Sequence, residues 1–201
     1  MFEVYSYNSP HSYGSNTYVV CSDGECIVID PSVPYSLGML CGCRLRYIIL
    51  THAHFDHFLE IDSWLKATGA PVLISRGDKD ALGNPFRNCY RLFMGIDKGY
   101  YGDCVIISGG DELVVGADVF RVIDCPGHTP GSIALLCREH AFVGDTVFAG
   151  GSYGRYDLPG GDASALVSSI QMLCDLSCDT VLYPGHGAST TVLEYKKYFH
   201  M

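Results

Sequence analysis

Thr51-His52-Ala53-His54-Phe55-Asp56-His57 lies directly behind Arg46-Tyr47-Ile48-Ile49-Leu50, a short run dominated by apolar side chains. A run of that length ending in a polar loop reads as a buried strand. The stretch therefore sets three imidazoles and a carboxylate at one strand end. His52 and His54, two apart in an extended loop, point the same way. Asp56 and His57 belong to the following turn and aim at a neighbouring position. The pattern recurs outward from there. Pro126-Gly127-His128-Thr129-Pro130-Gly131-Ser132, Gly144-Asp145-Thr146-Val147-Phe148 and Pro184-Gly185-His186-Gly187 each follow an apolar run. Together with residues 51–57, these segments hold five of the eight histidines.

Imidazole and carboxylate are the donors a borderline divalent metal takes, and seven such groups exceed what one ion uses. Adding His128 to His52 and His54, and His186 to Asp56 and His57, gives two three-ligand sites. Asp145 is the natural bridge, because a carboxylate offers one oxygen to each ion. A lone histidine is more often a hydrogen-bonded core or surface residue. Seven donors in four strand-end loops are not explained that way.

The apolar pattern predicts strands at FEVYSY, NTYVVC, CIVID, RYIIL, PVLIS, CVIIS, DELVV, VFRVID, SIALLC, AFVGD and TVLYP, with Ser-Pro and Asp-Gly turn signals between the first ones. Helices are predicted at HFLEIDSWLKATG, where Phe58, Ile61 and Leu65 have helical spacing and Gly69 is a stop, at SALVSSIQMLCDL, and at TTVLEYKKYF. The segment from Arg76 to Asp103 has aromatics, Met and Arg without a clear period. It reads equally as a surface excursion or a substrate lid.

Of the 201 residues, 48% are apolar and 17% charged, which excludes a disordered chain. The length fits one domain or at most two small ones, and a single domain over 1–201 is expected. With 13 basic and 22 acidic side chains the net charge is −9, which disfavours nucleic acid and anionic membranes as partners. No apolar run is long enough to span a bilayer, and the first residues do not read as a secretory signal, so a cytoplasmic protein acting on a small molecule is expected. Oligomeric state is not readable. The ten cysteines contain no CxxC pair, and most sit in apolar runs where a thiol behaves as a small buried hydrophobe. Cys41-Gly-Cys43 and Cys174/Cys178 are the pairs expected to be prone to oxidation, in a reducing interior.

THAHFDH, PGHTPGS, GDTVF and PGHG, in that order, resemble the metallo-β-lactamase fold over nearly the whole chain. GDTVFAGGSYGRYDLPGGD followed by LYPGHGASTT is more narrowly similar to the small glyoxalase-II-like hydrolases. The resemblance implies a four-layer αββα sandwich, two mixed sheets face to face with helices outside. It implies two divalent ions, most readily zinc, with iron or manganese possible. His52, His54 and His128 would hold one, Asp56, His57 and His186 the other, and Asp145 would bridge. The implied activity is metal-dependent hydrolysis by a metal-bridging hydroxide, with Asp56 orienting it, on a small hydroxyacyl-glutathione-like thioester. True glyoxalase II carries a C-terminal helical domain that helps hold glutathione, and this sequence ends about fifteen residues after His186.

Thr51, Thr129 and Asp30 are candidates to fix the imidazoles. Arg155 and Asp157 read as a structural pair. Tyr153, Arg155 and Tyr156 are candidate substrate contacts, and Tyr156 stands where relatives commonly have a small Thr or Ser. Among rivals, the commonest β-lactamases have Cys at the position of Asp145, and flavodiiron proteins have Glu at that of His54. Persulfide dioxygenases share the THxHxDH string with a single iron, so such an oxidoreductase is an alternative. A non-catalytic metal-binding protein of the same fold is another.

Overall fold

The computed structural model describes residues 1–199. Two six-stranded mixed sheets face each other. The first has the order β1 (Phe2–Asn8), β2 (Asn16–Ser22), β3 (Glu25–Ile29), β4 (Arg44–Ile49), β5 (Val72–Ser75), β6 (Cys104–Ile107). β1, β2 and β3 pair antiparallel, and β3 through β6 run parallel. The second sheet contains β7 (Glu112–Val115), β8 (Asp118–Asp124), β9 (Ile133–Cys137) and β10 (His140–Gly144). A two-stranded excursion, β11 (Val147–Phe148) and β12 (Ser152–Tyr153), follows. The chain then returns to the second sheet as β13 (Val181–Pro184), parallel to β10, and β14 (Thr190–Thr191).

Three apolar layers hold the sandwich together. Tyr18, Val20, Ile27 and Ile29 face Phe120, Val122, Leu135 and Phe142 between the sheets. The alternate residues Val19 and Val28, with Ile48, face outward under α1 (Ile61–Thr68), where Trp64 is fully buried. Ala134, Ala141 and Val143 on the far face take α4 (Ala163–Cys174) and α5 (Val192–Tyr198). Strands covered on both faces must be apolar at odd and even positions alike, which is why NTYVVC and CIVID read as continuous runs. Asp162 caps α4 by accepting from the Ser164 and Ala165 amides, and Gly69 ends α1 in the left-handed region at φ 63°. The αββα expectation is met.

Three details differ from the sequence reading. The first helix begins at Ile61, after a separate 3-10 turn at Phe55–His57, because Phe58 (φ −135°, ψ 24°) breaks the helical path. The segment 76–103 holds two short helices, α2 (Arg76–Leu82) and α3 (Tyr90–Met94). A disulfide joins Cys21 to Cys26, neither of the cysteine pairs expected to oxidise. Its cause is local: Asp23 and Gly24 both have positive φ (44° and 84°), a two-residue turn that puts Cys21 opposite Cys26 in the β2/β3 ladder. Among the described residues, no helix is long and apolar enough to cross a membrane.

Candidate metal centre

All four donor-bearing segments leave strand ends at the same edge of the sandwich, where loops from both sheets meet. β4 delivers residues 51–57, β8 residues 125–132, β10 Asp145, and β13 Gly185-His186. At Gly127 (φ 133°) a Cβ would fall inside the backbone of Leu166 on α4, so this turn requires glycine.

The structure brings all seven donors together. Donor atoms of His52, His54 and His128 lie within 4.8 Å of one another. The same holds for Asp56, His57 and His186, and for His52, His57 and Asp145, which joins the two groups. His54 Nδ1 is 2.8 Å from His128 Nε2. Asp145 Oδ1 is 3.4 Å from His57 Nε2, and its Oδ2 is 3.6 Å from both His128 Nε2 and His186 Nε2. Oδ1 thus faces the second group, and Oδ2 lies between the two groups.

Partners behind the rings fix their tautomers. His57 Nδ1 donates to Asp30 Oδ2 at 2.8 Å, and His128 Nδ1 donates to the Arg155 carbonyl at 2.7 Å. With the ring neutral, each Nε2 presents a lone pair inward. Asp30 itself sits at φ 52° and also accepts from the Thr51 amide (2.8 Å) and hydroxyl (2.7 Å). Thr51 Oγ1 lies 3.2 Å from His52 Nδ1. Sequence reasoning missed Asp78. Fully buried on α2, it accepts from the Ala53 amide, the Thr129 hydroxyl and the Gly131 amide, all at 2.8 Å. It clamps the first histidine loop to the second. Nothing in RGDKDAL distinguishes it from a solvated acid.

The protein's own charges call for cations here. His52 is pushed well below the usual imidazole range by burial and by His57, His128 and His54. Burial and His128 take His54 down to about 3. Burial would lower His57, yet Asp30, Asp145 and Asp56 together hold it well above its ordinary value. His186 is raised against burial by Asp145 and by its hydrogen bond to Asp56. Burial disfavours ionised Asp56 and Asp145, and the His57 and His186 charges outweigh it and keep both low. Nε2 of His52 and of His57 and Oδ1 of Asp145 are buried without a hydrogen-bond partner. Orphaned lone pairs and neighbouring carboxylates, gathered in one buried place, fit divalent ions.

His54, Asp56, His128, Asp145 and His186 floor a cavity of ≈ 390 Å³, with His52 and His57 fully buried outside its lining; the volume is within the range of small-molecule sites. Tyr13, Phe55, Phe93, Phe148, Tyr153 and Leu158 form its apolar walls, and Arg155 stands at the rim. Arg155 pairs with exposed Asp157 at 2.8 Å, as expected. Tyr156 does not reach this cavity. With the Arg155 carbonyl turned in to His128, the next side chain is sent to a separate cleft beside α4. Of the aromatics in segment 76–103, Phe93 lines the cavity and Tyr90 packs in the core.

Residues 13–186 match the metallo-beta-lactamase superfamily. The chain belongs to that superfamily. A superfamily relative, the probable metallo-hydrolase YqgX of Bacillus subtilis, is 32% identical over 89% of this chain and 88% of its own length. The hydroxyacylglutathione hydrolase GloC of Haemophilus influenzae is also 32% identical, over 77% of this chain and 74% of its own. Among solved structures, the BLEG-1 B3 metallo-beta-lactamase superposes with a TM-score of 0.89 at 28% identity, covering 97% of each chain.

Proposed function

We propose that this superfamily member is a dinuclear metallohydrolase whose substrate is a small thioester. The observation that supports this most is the pair of three-donor groups joined through Asp145 at the floor of one cavity. In this reading His52, His54 and His128 would hold one ion, Asp56, His57 and His186 the other, and Asp145 would be shared between them. An all-nitrogen-and-oxygen set suits zinc, with iron and manganese within its range. When bound, divalent ions here would supply a hydroxide nucleophile at neutral pH and polarise the substrate carbonyl.

The remaining work belongs to the chain. Asp30 and the Arg155 carbonyl hold His57 and His128 in the tautomer that presents Nε2. Asp56 Oδ2 lies 3.0 Å from His186 Nε2. As the catalytic residue, its ionised carboxylate accepts a hydrogen bond from the attacking water and sets its direction. The aromatic walls exclude bulk water, which strengthens every charge interaction on the floor. Tyr153 and Arg155 contact the part of the substrate that projects from the cavity. Thioesters are favoured by the likeness to the hydroxyacylglutathione hydrolase. The net charge of −9 favours a small molecule over a nucleic acid or an anionic membrane surface.

Likeness to BLEG-1 favours a second reading, hydrolysis of a β-lactam amide. Absence of Cys at position 145 sets the chain apart only from the commonest β-lactamases. Steady-state rates of the metal-loaded protein on S-lactoylglutathione and on a chromogenic cephalosporin separate the two. Thioester kcat/KM is expected to exceed the β-lactam value by about a hundredfold or more. The reverse order moves the assignment to the second reading, and turnover of neither by protein carrying two ions overturns both.

A further inference from the structure

We propose that Cys43 is a thiol–disulfide exchange residue that connects the buried Cys21–Cys26 bond to small thiols in solution. The bond lies on the outer face of the first sheet, with Cys21 3% and Cys26 0% exposed. Met39, Leu40 and Leu45 pack over it, and Cys26 Sγ lies 3.7 Å from the Leu40 carbonyl. A thiol from solvent has no direct approach to either sulfur.

Cys43 has one. It is half-buried, and its sulfur lies within 4.8 Å of those of both Cys21 and Cys26. The sheet sets the order of the three. Cys21 is on β2, Cys26 on β3, and Cys43 immediately precedes β4, so Cys26 is the middle residue. The turn that carries Cys43 is held by its amide bonding to Leu40 O at 2.8 Å and by Cys41 and Gly42 at positive φ (51° and 79°). A third thiol beside a shielded disulfide is the arrangement exchange requires, because access and the attacking thiolate set the rate.

The chemistry balances without an external oxidant. Cys43 loses its proton to water, and its thiolate attacks Cys26 Sγ. The Cys26–Cys43 bond forms as the Cys21–Cys26 bond breaks, and Cys21 leaves as a thiolate that takes up a proton. A small thiol then attacks the half-exposed Cys43 sulfur, releasing Cys26. A second small thiol attacks the sulfur of the first, forming the small disulfide and releasing Cys43 as a thiolate that takes up a proton. The sum is one buried disulfide and two small thiols giving two cysteines and one small disulfide. None of this involves the histidine pocket, so its success or failure is independent of the proposed hydrolase activity.

The test is the rate at which glutathione opens the Cys21–Cys26 bond in the full chain, first poised with glutathione disulfide, then acid-quenched, alkylated and mapped by mass spectrometry. Wild type is expected to show a Cys26–Cys43 species, and Cys43→Ser to open at least about tenfold more slowly. Cys41→Ser, which removes the exposed neighbouring thiol, is expected to open at the wild-type rate. Circular dichroism of each variant checks that the sandwich is intact. Equal rates in wild type and Cys43→Ser, equal slowing by Cys41→Ser, or failure of the Cys21–Cys26 bond to form at any glutathione poise each overturn the proposal.

Discussion

At the scale of single residues, the centre depends on groups that hold donors as much as on the donors. Asp145 joins both donor groups, so Asp145→Ala is expected to cut metal content, read by elemental analysis, from two ions per chain to at most one, with turnover falling to background. Asp30→Asn keeps the shape but replaces the acceptor behind His57. It is expected to cost about 10–100-fold in metal affinity or kcat/KM while the far-ultraviolet spectrum is unchanged. The seven donors were legible in the sequence because each segment follows an apolar strand, and His128, Asp145 and His186 stand directly beside glycines. Asp30 was legible as a candidate, since it ends CIVID. Asp78 was not. Its burial is decided by α2 lying across both histidine loops, a tertiary fact with no local sequence mark. Tyr156 was misread for a related reason: one carbonyl turned toward His128 decides on which side the following side chain emerges.

At the scale of elements, α1 is anchored by Trp64, whose Nε1 donates to the Val33 carbonyl at 2.7 Å and whose ring meets Tyr35 edge-on at 5.2 Å between centroids. Trp64→Ala is expected to lower unfolding free energy by about 3–5 kcal/mol in a denaturant titration, with metal stoichiometry of the folded fraction preserved. β8 is tied to the first sheet by Asp118, which accepts from Ser22 Oγ at 2.6 Å and from Arg138 Nε at 2.6 Å. Burial would raise its carboxyl, yet these partners hold it below the ordinary value. The stabilisation is therefore full above the unfolded carboxylate pKa near 4 and is lost as pH falls through the lower folded value. Asp118→Asn is expected to reduce the wild-type loss of stability across that acid window, measured by thermal melts against pH. The main strands and the helices α1, α4 and α5 were readable because burial on one or both faces leaves a periodic trace. α2 and α3 left none: α2 buries Asp78 beside Ala81 and Leu82, and α3 buries only Tyr90, so neither has an apolar stripe. The Cys21–Cys26 pairing was within reach of the Asp-Gly turn signal, which fixes the register that sets the two sulfurs opposite each other.

At the scale of the whole molecule, two sheets place four loops from different parts of the chain at one edge, and only there do seven donors meet. The order of motifs carried the fold because each motif marks the end of a particular strand in that topology. The substrate was less legible, since the cavity walls come from the 3-10 turn, the 76–103 segment and the β11/β12 excursion, whose side chains have no shared period. The measurement that bears most directly on the dinuclear hydrolase is a titration of metal-depleted protein with zinc, following S-lactoylglutathione hydrolysis at each step. Turnover is expected to rise to a plateau at two equivalents per chain. A plateau at one equivalent would contradict the paired centre, and no turnover with two ions bound would contradict the thioester assignment.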